Sequence, residues 1–125
     1  MNKNNIIFII ITFIIFCSCD RELFEDFIVK NNLSTSITVV HETNLDEYSE
    51  LVILPNTEAI VLQASGYGNS VHKYKISEWF KLFEVTKDDT VQSKVDYLLD
   101  ENWEYKELSD THAEYRLVVD STHFE

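Results

Sequence analysis

Two cysteines, two glycines and ten basic side chains are all that the 125 residues hold of those types. Each scarcity excludes something. Both cysteines, Cys17 and Cys19, lie within the first twenty residues. The chain beyond them has no thiol nucleophile and no disulfide, so its stability has to come from burial of a core. Gly66 and Gly68 are the only glycines, which leaves no glycine-rich phosphate cradle and no Gly-x-Ser-x-Gly nucleophile elbow. Against 10 Lys and Arg stand 22 Asp and Glu. That balance excludes nucleic acid as a partner, because phosphates demand a basic surface, and it excludes a polybasic grip on anionic headgroups. No segment carries a helical stripe sustained over a dozen residues, and there is no internal repeat or low-complexity tract.

What is present begins with an apolar run, Ile6 to Phe16, interrupted only by Thr12. Lys3 precedes it and Ser18 follows. A positive n-region, an apolar core of roughly 7–15 residues and a small residue at the cut are the parts of a secretory signal. A spanning helix needs about 20 apolar residues, and this run meets Asp20 and Arg21 first. Phe16-Cys17-Ser18-Cys19 resembles a lipobox, in which signal peptidase II cuts before a diacylglyceryl-modified cysteine. The resemblance implies a signal peptide over 1–18 and lipid attachment at Cys19, because Ser18 is small and the residue before Cys17 is not. Each buried methylene contributes about 0.8 kcal/mol and one chain binds only reversibly, so the two or three chains of such a cysteine give a stable membrane anchor. Without 1–18 the chain has 107 residues and 9 basic against 22 acidic side chains, a formal charge of −13. That length holds one domain and hardly two.

Residues 19–26 read as an acidic tether, and 27–125 as a single β-domain dominated by period-two patterns. Asp26–Lys30 is the first strand expected, and Asn31-Asn32-Leu33-Ser34 a hairpin connection to the second, Ser36–Val40, rich in β-branched residues. Leu51–Leu54 follows, broken by the turn Pro55-Asn56-Thr57-Glu58, then Ala59–Ala64. Gly66–Ser70 reads as a flexible loop. Within Ile76–Val85, Ser77 suits the cap of a short turn, whereas Lys81–Val85 alternates like a strand. Lys87-Asp88-Asp89-Thr90 is a hairpin turn leading into Val91–Leu99. Trp103 and Tyr105 fall in a polar connection, and Tyr115–Val119 is a closing strand with Tyr115, Leu117 and Val119 on one face. About seven or eight short strands predict an all-β fold, a small antiparallel β-sandwich or partly open barrel.

Catalytic constellations are missing from the pattern. His41, His72, His112 and His123 are scattered, with no zinc spacing, so neither a metal nor another cofactor is expected. The acidic cluster Asp96, Asp100, Glu101, Glu104, Glu107 and Asp110 lacks the alternation and glycine of an EF-hand loop. It reads as a solvated loop or as a docking face for a basic partner. Aromatics are concentrated, and Tyr67, Trp79 and Trp103 are the candidate ligand contacts, since exposed Tyr and Trp present an apolar face with a polar handle. Tyr67, between two glycines, is the best of them. Asn32-Leu33-Ser34 matches an N-glycosylation sequon, although a lipobox points to a bacterium, where that sequon is rarely used. Asp89-Thr90-Val91 and Asp120-Ser121-Thr122 resemble the Bacteroidota O-glycosylation pattern, which marks Thr90 and Ser121.

Asp20, Glu22, Glu25 and Asp26, placed just after the cysteine, resemble the acidic export tract that sends Bacteroidota lipoproteins to the cell surface. The body is similar to small uncharacterised lipoproteins of that phylum through Ile28-Val29-Lys30-Asn31-Asn32 with Ser34, Leu54-Pro55-Asn56-Thr57-Glu58, Trp103, and Tyr115-Arg116-Leu117-Val118-Val119 with Phe124. The resemblance implies a β-sandwich-like fold, and only the role of Cys19 carries over. The expectation is an outer-membrane lipid-anchored envelope protein, surface-exposed or periplasmic, with a non-catalytic binding or assembly role. Two alternatives stand beside it: a glycan- or protein-binding accessory module, and an inhibitor or immunity lipoprotein acting on a basic partner.

Overall fold

A computed structural model describes residues 21–125. The segment read as a signal peptide, 1–18, and the expected lipid attachment site Cys19 lie outside the described residues. Eight strands form two four-stranded sheets: β1 (Arg21–Asn31), β2 (Ile37–Thr43), β3 (Tyr48–Ile53), β4 (Glu58–Gly68), β5 (Phe80–Lys87), β6 (Val91–Gln92), β7 (Glu104–Ser109) and β8 (His112–Val119). The first sheet has the order β4-β1-β8-β7 and the second β3-β2-β5-β6. They do not close on one another, so the fold is a sandwich and not a barrel. All pairings are antiparallel except β1 with β8. The first and last of the described strands thus lie side by side, Val29 opposite Leu117 and Asn31 opposite Val119.

Alternation decides which side chains meet between the sheets. Phe27 and Val29 from β1, Ile37 and Val39 from β2, Phe83 and Val85 from β5, and Tyr115, Leu117 and Val119 from β8 are all buried. Phe27 is the hub. Its ring stacks on Tyr115 at 4.6 Å and 5° and meets Phe80, Trp79 and Trp103 edge-on at 5.1, 5.4 and 6.1 Å. Edge-to-face and offset stacking are the favoured aromatic geometries, so one residue ties both sheets and two connecting segments together.

Several sequence expectations are corrected. The segment read as a tether up to residue 26 is strand from Arg21 onward, because Leu23 and Glu25 continue the inward parity of Phe27 and pair with Gly66 and Ala64. Asn31–Ser34 is no hairpin: β1 and β2 belong to different sheets, and the connection crosses from one to the other. The loop expected at Gly66–Ser70 begins only after Gly68, where β4 ends. The strand expected over Val91–Leu99 stops at Gln92, since Ser93 and Asp96 turn their side chains back onto the amides of Val95 and Leu98. The polar connection drawn around Trp103 and Tyr105 contains β7. The Lys87–Thr90 turn is present, with Asp88 and Asp89 at positive φ, a region that Asp tolerates better than most residues. The short turn stands at Ile76–Glu78, but its cap is the Glu78 carboxylate accepting from the Lys75 amide, not Ser77.

Candidate functional site

Phe27 packs on Phe80, the first residue of β5. Residues 21–26 of β1, with their partners 63–68 of β4, therefore run past the end of the second sheet. The chain between β4 and β5 folds back beneath this overhang. It is held by the Val71 amide donating to the Asp110 carbonyl and the Tyr74 amide donating to the Tyr115 hydroxyl, each at 2.8 Å. Buried Val71 and Ile76 pin it to the core.

Two adjoining depressions result, with Ala64, Ser65 and Trp79 common to both. The larger, about 420 Å³, lies between the outer edge of β4 and the β2–β3 turn, with Asn44, Glu47, Gln63 and Glu78 on its walls. The smaller, about 120 Å³, sits on the inner face of the overhang between Leu23, Glu25, Gly66, Tyr67 and Tyr74.

Glu25 is the unusual group here. It points inward in line with Phe27 and Val29, is only 6% exposed, and its neighbours in register are Ala64 and Ala113. Its Oε2 is buried without a hydrogen-bond partner. Burial pushes its carboxyl up from the ordinary 4.5 to about 7, because the charged form loses water and gains no counter-charge. The Trp79 indole N–H is a second buried polar atom; it completes no hydrogen bond of good geometry but lies close enough to the Tyr115 hydroxyl to favour that group's ionised form. The same Tyr115 hydroxyl feels the Glu25 charge, and burial raises its own ionisation to about 12. Glu25 and Trp79 thus line one recess, and the Tyr115 hydroxyl lies near enough to be influenced by both. Among the described residues Glu25 is the one carboxylate lining this recess.

The contacts expected from the sequence fare differently. Tyr67, 77% exposed near the end of β4, stands at the rim of the smaller recess. Half-buried Trp79 walls both depressions. Trp103 is a core residue and not a surface contact: it is buried, its N–H donates to the Tyr97 carbonyl at 2.9 Å, and its ring meets Phe83 edge-on at 5.3 Å. Thr90 and Ser121 are exposed, in the turn after β5 and at the start of the terminal 3₁₀ turn. The four histidines are held apart. His41 is in the core, His72 lies against Tyr74, His112 bonds Asp26 at 2.7 Å and His123 bonds Tyr97 at 2.9 Å. Among the described residues no group of His, Cys, Asp and Glu comes together to hold a metal.

The acidic cluster is dispersed rather than assembled. Asp100 accepts from the Ile76 amide, Asp96 from the Leu98 amide and Glu107 from the Tyr105 hydroxyl. Glu104 lies on the other face of the first sheet beside Lys106 and Arg116. Glu25 falls within the segment that the sequence reads as a tether, so it is not among the contacts expected from sequence. The parity of Leu23, Glu25, Phe27 and Val29 is the signal that identifies it.

Fold and site together define an all-β two-sheet sandwich with a recess at the end where the chain enters β1. The chain matches no protein-family model, no curated protein and no solved structure. Among the described residues no helix is long and apolar enough to cross a membrane.

Proposed function

We propose that the protein is an envelope lipoprotein, anchored through Cys19, that acts by binding a ligand in the recess beside β1 and not by catalysis. The observation that supports the reading is that Glu25 and Trp79, each with a buried polar atom short of a partner, line the same depression. Buried polar groups are normally satisfied, and exceptions in native structures call for a reason. A site awaiting a ligand is such a reason.

The sequence adds the address. Cys19 precedes Arg21 by two residues, a reach of at most about 7 Å. Lipid on that sulfur holds the recess end of the sandwich toward the membrane, with no long tether between. Without residues 1–18, 9 basic against 22 acidic side chains leave a formal charge of −13, which opposes adsorption of the remaining surface to anionic lipid. The inhibitor reading draws less support, because Asp96, Asp100 and Glu107, three of its six acidic groups, are used in local hydrogen bonds.

Palmitate labelling of wild type and Cys19→Ala tests the anchor. Label is expected in the first and not in the second, and a labelled mutant removes Cys19 as the site. Protease shaving of intact cells then assigns the side of the membrane.

A further inference from the structure

The chemistry of the smaller recess selects among ligands. Its two unpartnered atoms are of opposite sense, a carboxyl oxygen of Glu25 that accepts and the Trp79 N–H that donates. An ammonium satisfies the first and is repelled by the second, and a carboxylate or phosphate has the reverse problem. A hydroxyl serves both, since it donates one hydrogen and accepts on its lone pairs. The terminal torsion of a Glu side chain is soft, so either carboxyl oxygen can turn toward a ligand. The walls are aromatic, with Tyr67 exposed at the rim and Tyr74 edge-on to Trp79 at 5.6 Å. Such surfaces suit the C–H faces of a sugar ring.

The floor is kept clear. Gly66 lies on the inward parity of β4, opposite Leu23. A methyl group placed on it meets no atom within 4 Å, and no glycine of the chain has a positive φ that would demand glycine there. One at Gly68 would approach the Leu23 side chain at 3.1 Å. Gly66 is thus needed neither by its backbone nor by its neighbours, and its effect is to leave the recess empty. At about 120 Å³ the space takes part of one ring, while the adjoining depression of about 420 Å³, lined by amide and carboxylate side chains, has room for the rest of a short saccharide.

We infer that this recess is a saccharide subsite in which one ligand hydroxyl donates to Glu25 and accepts from the Trp79 indole, with Tyr67 and Tyr74 against the ring. The inference rests on the binding role proposed above and gives it a ligand class.

The test is titration of the full-length ¹⁵N-labelled protein in non-ionic detergent with the methyl glycosides of glucose, galactose, mannose and N-acetylglucosamine. Ethylammonium chloride serves as the charged control. At least one glycoside is expected to move the Trp79 indole resonance and leave that of Trp103 in place. Gly66→Leu should abolish the response by filling the recess, and Glu25→Leu should weaken it about tenfold, the loss expected when a hydrogen bond to a charged group is removed. Tyr67→Ala, at an exposed position, gives a second variant whose fold is not at risk and should also weaken binding. Absence of any glycoside response, a response that survives Gly66→Leu, or a response to ethylammonium alone overturns the inference. Cys19→Ala must respond like wild type, so failure of the anchor and failure of the subsite are read separately.

Discussion

His41 and Val61 join the two sheets by one hydrogen bond, with the imidazole Nε2 2.8 Å from the Val61 carbonyl. Val61 is available because β4 bulges there: Phe27 pairs with Leu62 and Ile28 with Ile60, leaving Val61 without a partner in β1. A bulge frees backbone groups from the ladder, and here a core side chain takes up the carbonyl. Since the acceptor is a carbonyl, Nε2 carries the hydrogen, and Nδ1 is the buried unpartnered atom. The ring is held by Phe83 and Phe80, at 6.0 and 5.2 Å.

Replacing His41 therefore strands a buried carbonyl. His41→Leu is expected to lower unfolding free energy by about 1–3 kcal/mol, the cost of an unsatisfied buried group. His41→Gln, which keeps a donor, should lose less in the same urea titration. Equal losses would show that ring packing and not the hydrogen bond holds the bulge.

Asn31 performs the corresponding task at the opposite end of the sandwich. It is fully buried; the two hydrogens of its amide nitrogen are shared among the carbonyls of Thr35, Ile53 and Leu54 at 2.8, 3.1 and 3.2 Å, and its oxygen accepts from the Leu33 amide at 2.9 Å. One side chain thereby closes the β1–β2 crossing and fastens the end of β3. Asn31→Asp places a carboxylate against three carbonyls and should cost at least about 3 kcal/mol, more than Asn31→Ala at neutral pH. Recovery of the Asp variant in acid, where its carboxyl regains a hydrogen to donate, is the expected signature in thermal unfolding. An Asp variant as stable as wild type at neutral pH would refute this role.

Much of the sandwich was legible because alternation is a local signal: Ile37 with Val39, and Tyr115 with Leu117 and Val119, lie inward as their period requires. The crossing at Asn31 was not, since a polar turn looks the same whether it joins neighbours or changes sheets. The parallel pairing of β1 with β8 was hidden for the same reason, both strands being far apart in the chain. Trp103 looked like a contact because its neighbours are polar, yet tertiary packing draws it into the core. Glu25 was concealed by composition, as one acidic residue among several. Only its parity with Phe27 distinguishes it.

Tyr97 gives an alkaline prediction. Its hydroxyl, in the core beneath the terminal turn, bonds Ser93 at 2.6 Å and His123 at 2.9 Å, and burial raises its ionisation from 10 to about 12. A raised pKa means that the neutral phenol stabilises the fold fully below pH 10 and that this contribution is lost as pH climbs toward 12. Wild type should therefore weaken across that window, and Tyr97→Phe should weaken less, after an initial loss of about 1 kcal/mol for the hydrogen bonds. Urea midpoints with parallel slopes for the two proteins would refute it.

Glu25 gives the neutral-range prediction. Its folded carboxyl titrates at about 7 against 4.5 when exposed, so the folded protein holds the proton more tightly. The associated stability is fully present below pH 4.5 and disappears as pH rises through 7, amounting to about 3 kcal/mol at most. The difference between wild type and Glu25→Gln isolates this carboxyl from every other titrating group. Glu25→Gln carries no charge at any pH and should exceed wild type in stability at pH 8, with the advantage vanishing near pH 4.5. A saccharide hydroxyl that donates to the ionised carboxyl should shrink the advantage at pH 8, because it supplies the hydrogen bond that the folded protein lacks. A pH-independent gap between the two proteins would mean that Glu25 does not titrate in the recess.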